Sequence, residues 1–176
     1  MTTVRHAHDT NRERGFTLLE TMIALTMLLI VAAGIVPLGL VAVKASENQG
    51  HLGARTTEYA QDKLEQLMAL AYADSTSDTR VSPATTVNGS GLSIGGSADP
   101  DAPVNQYVDY LDVDGNLLAS GGAAPAGWYY KRVWQVSPFR ANLKRIDVTA
   151  IVRVAAQGGI GELPRSSVTA LKTNPF

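Results

Sequence analysis

The chain of 176 residues holds no cysteine and only three histidines, His6, His8 and His51. The first absence excludes disulfides and thiolate-held metal, and permits an oxidising compartment without indicating one. All three histidines precede the C-terminal part of the chain, so Ser-His-Asp and Cys-His catalysis, and zinc held by His or Cys, are excluded there. No Walker or Rossmann glycine pattern occurs. Neither sign of charge prevails: 15 Lys and Arg stand against 16 Asp and Glu, so nothing global selects nucleic acid. These absences argue against an enzyme. One further absence is local, because no charged residue lies between Glu20 and Lys44.

That uncharged run, Thr21 to Val43, holds 23 residues. As a helix it spans about 35 Å, enough to cross a hydrocarbon core of about 30 Å with some tilt. Gly34, Pro37 and Gly39 interrupt it. In water Pro37 would cost about 3 kcal/mol inside a helix, whereas lipid or packed helices tolerate such breaks. Glu20 stands at the mouth of the run, and an ionised carboxylate in hydrocarbon needs a partner or a proton. No Lys or Arg sits within reach on the same face. Were the chain cut between Gly15 and Phe16, the new α-amino group would lie one helical turn away and neutralise the acid, in its own subunit or a neighbour's. An ordinary secretory signal or signal anchor with a chance glutamate is the alternative. Such signals have an apolar core of roughly 7–15 residues and a small-residue exit site. Here the core is longer, opens on an acid and ends at Val43-Lys44-Ala45, a poor exit site.

Gly15-Phe16-Thr17-Leu18-Leu19-Glu20 followed by an apolar helix resembles the cleavage and methylation signature of type IV prepilins and type II secretion pseudopilins. The resemblance implies that a prepilin peptidase cuts after Gly15 and N-methylates Phe16. It implies that Glu20 is the assembly acid that pairs with a neighbouring subunit's amine, and that Pro37 is the helix break many pilins carry. The implied partners are the peptidase, other pilins and minor pilins in a fibre, an inner-membrane assembly platform, and membrane lipid before assembly. The implied location is a single pass in the bacterial cytoplasmic membrane, N-terminus inside and globular domain outside, followed by a pilus or pseudopilus. Arg5, Arg12 and Arg14 before the span, against Lys44 and Arg55 after it, give only a weak bias to that orientation. The stretch Tyr59 to Leu67 resembles the helix of PilV-like minor pilins and of I-type pseudopilins, and Arg132-Val133-Trp134 followed by Lys144-Arg145-Ile146-Asp147-Val148-Thr149 resembles the C-terminal strands of PilV-like proteins. A minor pilin of a type IV pilus is therefore the particular expectation. The alternatives are a type II secretion pseudopilin and a membrane-anchored binding module or adhesin that never polymerises.

Taken in order, residues 1–15 read as a cleaved leader, with His6 and His8 solvated rather than metal-bound, and 16–43 as a transmembrane and assembly helix. Residues 44–72 read as an amphipathic helix continuous with the span. Leu52, Thr56, Ala60, Leu64, Leu67, Met68 and Ala71 recur at three and four, with Glu47, Arg55, Glu58, Asp62, Glu65 and Gln66 on the other side. Residues 73–103, rich in Ser, Thr, Gly and Pro, read as a variable surface loop with a short strand near Leu92 to Ile94. Residues 104–176 read as an antiparallel sheet domain. Asp114-Gly115 between apolar runs predicts a hairpin. Trp128 to Val136 alternates, with Trp128, Tyr130, Trp134 and Val136 on one face. Ile146, Val148, Ala150, Val152 and Val154 point one way in the next strand, and Ser166 to Lys172 follows after a Gly158-Gly159 turn. The fold class is α+β: a long N-terminal helix, transmembrane in its first half and amphipathic in its second, packed on a C-terminal antiparallel sheet.

Two constellations invite chemistry. Asp112, Asp114 and Asn116 bring together oxygen donors of the kind calcium takes. The glycine is misplaced for an EF-hand and no bidentate glutamate follows, so the hairpin turn is the favoured reading and calcium the alternative, with no other cofactor expected. The second constellation is a segregation of charge. From Val81 to Tyr130 there are five aspartates and no Lys or Arg, while Lys131 to Lys172 holds eight cations against Asp147 and Glu162. Opposite patches of this kind would steer neighbouring subunits together through Lys131, Arg132, Lys144 and Arg145, and the basic one offers a surface to DNA; solvated faces are the default.

Overall fold

The computed structural model describes residues 17–118, 123–153 and 164–174. The leader, Gly15, Phe16, Val154 and the Gly158-Gly159 turn lie outside the described residues. One helix, α1, runs without a break over Leu18–Ala69 with Pro37 inside it. The chain divides into two compact units, one up to Val43 and one from Lys44 onward.

In the first unit, every described side chain of the helix is exposed, and the apolar window reaches a mean hydropathy of 2.5 with none of it buried. Thr21 Oγ1 donates to the Leu18 carbonyl and Thr26 Oγ1 to the Met22 carbonyl, both at 2.8 Å, so these two hydroxyls are satisfied within the helix itself. That is what a segment without water around it requires.

In the second unit, α1 buries a stripe made by Leu52, Thr56, Tyr59, Ala60, Lys63 and Leu67. The spacing of three and four keeps these residues on one face. They meet the sheet across a core of Tyr130, Trp134, Val136, Ile146, Val148, Ala150 and Val152. The sheet is antiparallel: β1 is Gly95–Gly96, β2 Val108–Leu111, β3 Leu117–Leu118, β4 Tyr130–Arg140, β5 Leu143–Val152 and β6 Arg165–Thr173. Its order is β3-β2-β4-β5-β6, with β1 beside β4. The cross-strand pairs Trp134↔Val148 and Val136↔Ile146 put the alternate apolar residues of β4 and β5 on the helix side, as the two-residue period predicts. The α+β arrangement implied by the sequence is the one found.

Three local expectations change. Strand β4 begins only at Tyr130, so its alternation does not extend back to Trp128, which packs with Val108, Tyr110 and Val133 on the face away from the helix. Tyr129 packs instead against the main core. The short strand forms at Gly95–Gly96 rather than Leu92 to Ile94, and Leu92 is a fully buried core residue. Glycine is needed at β1 because a Cβ on Gly96 would lie 2.2 Å from the Trp134 carbonyl oxygen. The segment 73–103 is consequently not all surface. Ser77, Asp78, Thr79 and Ser90 are buried, Asp78 pairs with Thr85, and the Asp78 carboxylate takes two bonds from the Arg80 guanidinium at 2.9 and 3.0 Å.

Candidate assembly helix and the charged helix–sheet junction

The start of α1 is fixed by Thr17, whose hydroxyl accepts the Glu20 N–H at 3.3 Å. Thr17-Leu18-Leu19-Glu20 has the spacing of a capping box, so one acid at the third helical position also suits the positive end of the helix dipole. Among the described residues no cation forms an ion pair with Glu20. Downstream of it, the exposed surface up to Val43 is uncharged and mostly Leu, Ile, Val, Met and Ala, with Leu29 62% exposed. An added Cβ at Gly34 or Gly39 meets nothing within 4 Å. This face can do one thing chemically, which is to bury itself in lipid or against other apolar helices.

The second unit holds a charged junction that sequence reasoning missed. Lys63 lies within the buried stripe of α1, and its ammonium contacts the Asp109 carboxylate at 2.6 Å with both side chains fully buried. Asp109 on β2 is directly opposite Arg132 on β4. The Arg132 guanidinium holds both Asp109 oxygens at 2.8 and 2.9 Å, and donates from Nη1 to Asp62 at 2.6 Å and to the Tyr59 carbonyl at 3.3 Å. Lys63 also donates to the Thr79 carbonyl at 2.6 Å and lies 4.8 Å from the Trp134 ring centre. Burial pushes the Lys63 ammonium down to about 8 against the pull of Asp109. Burial alone would raise Asp109, but the charges of Lys63 and Arg132 outweigh it and hold the carboxyl below its ordinary value. Both ions persist at neutral pH.

Of the four cations set against a neighbouring subunit, Arg132 alone is fully buried, Lys131 and Lys144 are half-buried and Arg145 is exposed. Arg132 is buried in this junction, and Lys131 donates to the Pro100 carbonyl at 2.5 Å. Lys144 donates to the Tyr72 and Leu92 carbonyls at 2.8 and 2.9 Å, and Arg145 pairs with Asp147 at 2.7 Å. Lys172 donates to the Met68 carbonyl at 2.6 Å. Helix α1 has no basic residue in its last turn. Lys172 from β6 bonds a carbonyl in that turn and Lys144 from β5 bonds one just beyond it, so the sheet supplies the cations that the helix terminus lacks.

The Asp112 to Asn116 loop is a hairpin turn between β2 and β3, closed by Leu111↔Leu117. Asp112 Oδ1 accepts the Asp114 and Asn116 N–H groups at 2.9 and 2.8 Å, and Oδ2 accepts from the Asn116 side chain at 2.9 Å. The Asn116 side chain, followed by backbone N–H groups, holds the Asp112 carboxyl below its usual value. Its oxygens serve the turn, and no group of three or more His, Cys, Asp or Glu placed to hold a metal occurs among the described residues. Gly115 has φ +89°, and a Cβ there would lie 2.4 Å from the Tyr59 hydroxyl, so the turn is seated directly on the helix.

Of the residues singled out by sequence, Glu20 and Pro37 lie in the exposed apolar helix, the Asp112 cluster lies in the hairpin, and Gly15 and Phe16 lie outside the described residues. The signal that could have found Lys63 was its phase: it falls four residues before Leu67 and three after Ala60, within the apolar stripe.

These features define a class, a subunit with an exposed apolar N-terminal helix and an α+β domain built on the continuation of that helix. Comparison with known proteins adds that residues 10–36 match a family model described as the prokaryotic N-terminal methylation motif. The match indicates a type IV pilin-like or pseudopilin-like prepilin. It implies processing by a prepilin peptidase and assembly with other pilins, and together with the apolar helix it fits membrane anchoring. Motif and fold point to a structural protein rather than an enzyme. No curated protein and no solved structure matches the chain.

Proposed function

We propose that the chain is a structural minor pilin of a type IV pilus, made as a prepilin and cut after Gly15. Phe16 becomes the methylated N-terminus, and the apolar helix leaves the bilayer to pack in the fibre, carrying an outer domain that decorates or primes it. Glu20 carries this reading, an acid at the head of a wholly exposed apolar helix, placed one turn from the amine that cleavage would create. The methylation motif at residues 10–36 supports it.

The test is N-terminal mass spectrometry and fibre incorporation in cells that make the peptidase. N-methyl-Phe16 is expected at the mature terminus, with cleavage lost in Gly15→Val. Glu20→Ala should be cleaved but absent from fibres. Leader residues still attached in protein taken from the native membrane would overturn the proposal, and normal behaviour of Glu20→Ala would favour an anchor that never polymerises. Fibre companions captured by cross-linking separate a pilus from a type II secretion pseudopilus.

A further inference from the structure

Polar ties between the sheet and α1 recur along the outer half of the helix. Ser166 bonds the Thr56 and Thr57 hydroxyls at 2.9 and 2.8 Å, Arg132 reaches Tyr59 and Asp62, Asp109 holds Lys63, and Lys172 holds the Met68 carbonyl. The order of contacts, Thr56 at Ser166 and Met68 at Lys172, shows that α1 and β6 run in the same direction. A pull on the helix at Lys44 against a hold at the end of β6 therefore loads the helix–sheet contact in shear.

Apolar packing resists such shear poorly, because sliding exchanges one dispersive contact for another of similar strength. The buried charges cannot be exchanged. A slide of one turn, about 5.4 Å, would carry Lys63 away from Asp109 and Asp62 away from Arg132, leaving the Lys63 ammonium uncompensated in an apolar interior while Asp109 keeps only Arg132. We propose that Lys63, Asp109 and Arg132 form a shear lock that fixes the register of α1 on the sheet and passes an axial pull on the helix into the sheet without slip. This is a property of the single subunit and stands whether or not the chain enters a fibre.

The absence of cysteine provides a clean test. Lys44→Cys and Asn174→Cys place unique handles on the full-length chain in detergent micelles for single-molecule pulling. The intact network should give a high unfolding force. In Lys63→Met/Asp109→Leu/Arg132→Met, where apolar groups of similar size replace the ions, the force should fall roughly twofold while the denaturant midpoint is kept. An unchanged force, or a loss only in proportion to lost equilibrium stability, overturns the lock. Should the triple variant not fold, Lys63→Met alone keeps the Asp109–Arg132 pair and serves in its place: a force lowered by more than the lost equilibrium stability accounts for supports the lock, and an unchanged force, or one lowered only in proportion to that stability, overturns it.

Discussion

The two halves of α1 are one continuous helix with opposite chemistry. Before Val43 the described surface is apolar and none of it is buried; after Lys44 charged residues return, and one of them, Lys63, lies in the core. Past Glu20 the first half carries no charge up to Val43, and its described side chains are exposed. The second half tolerates a buried ammonium because β2 brings it a carboxylate and the Thr79 carbonyl accepts from it, while that carboxylate also holds the Arg132 guanidinium of β4. A charge in a helix is thus governed by what faces it rather than by the helix that carries it.

The sharpest way to break that comparison is to remove one ion and leave the others buried. Arg132→Ala should cost about 3–5 kcal/mol in denaturant unfolding, because Asp109 and Lys63 would share a dry site short of donors. A cost below about 1 kcal/mol would mean that water reaches the junction. The next effect is on pH dependence. Lys63 has its folded value near 8, below the ordinary 10.5, so the unfolded chain binds more protons between those values and stability rises as pH climbs through that window. The gain is at most about 3 kcal/mol. Tyr59 and Tyr130, raised by burial above 10, oppose it only at the alkaline end. Unfolding titrations should show the rise in the natural chain and lose most of it in Lys63→Met, leaving the part that the burial of Lys131 and Lys172 supplies. Asp109 works at the acid end: its folded value is depressed, so its contribution is present above the ordinary carboxylate range and lost as pH falls through the folded value.

A smaller effect sharpens the comparison at the hairpin seated on the second half. Gly115→Ala must adopt a positive φ and displace Tyr59, costing about 1–3 kcal/mol by thermal or denaturant unfolding. The smallest belongs to the first half. Leu29→Ala removes an exposed side chain and should change the stability of the outer domain by less than about 0.5 kcal/mol. A larger effect would show that the apolar half stabilises that fold.

The sequence made legible those parts whose signal is local. The apolar span and its acid follow from an absence of charge over one stretch. Strand β5 and the helix-facing side of β4 follow from two-residue alternation, and the β2–β3 hairpin from its Asp-Gly pair. What stayed hidden depends on partners distant in the chain. The aspartates of 99–114 and the cations after Lys131 looked like patches for a neighbour or for DNA, yet Asp109 and Arg132 are 23 residues apart in sequence and adjacent across two strands. Among the described residues this is the ion pair that joins the two segments. Lys144 and Lys172 likewise looked like surface charge, and became helix-terminal cations only once β5 and β6 were laid beside α1. Leu92 was hidden for a different reason, since a lone leucine among Ser and Gly carries no period.

Lys172 reaches back 104 residues to Met68, and Ser166 reaches 110 residues to Thr56. A ribosome releasing this chain makes the helix about a hundred residues before the strand that completes its docking. The outer domain therefore cannot complete its docking before β6 has been made. It must wait, with its helical part only provisionally placed, until β6 arrives to fasten the beginning.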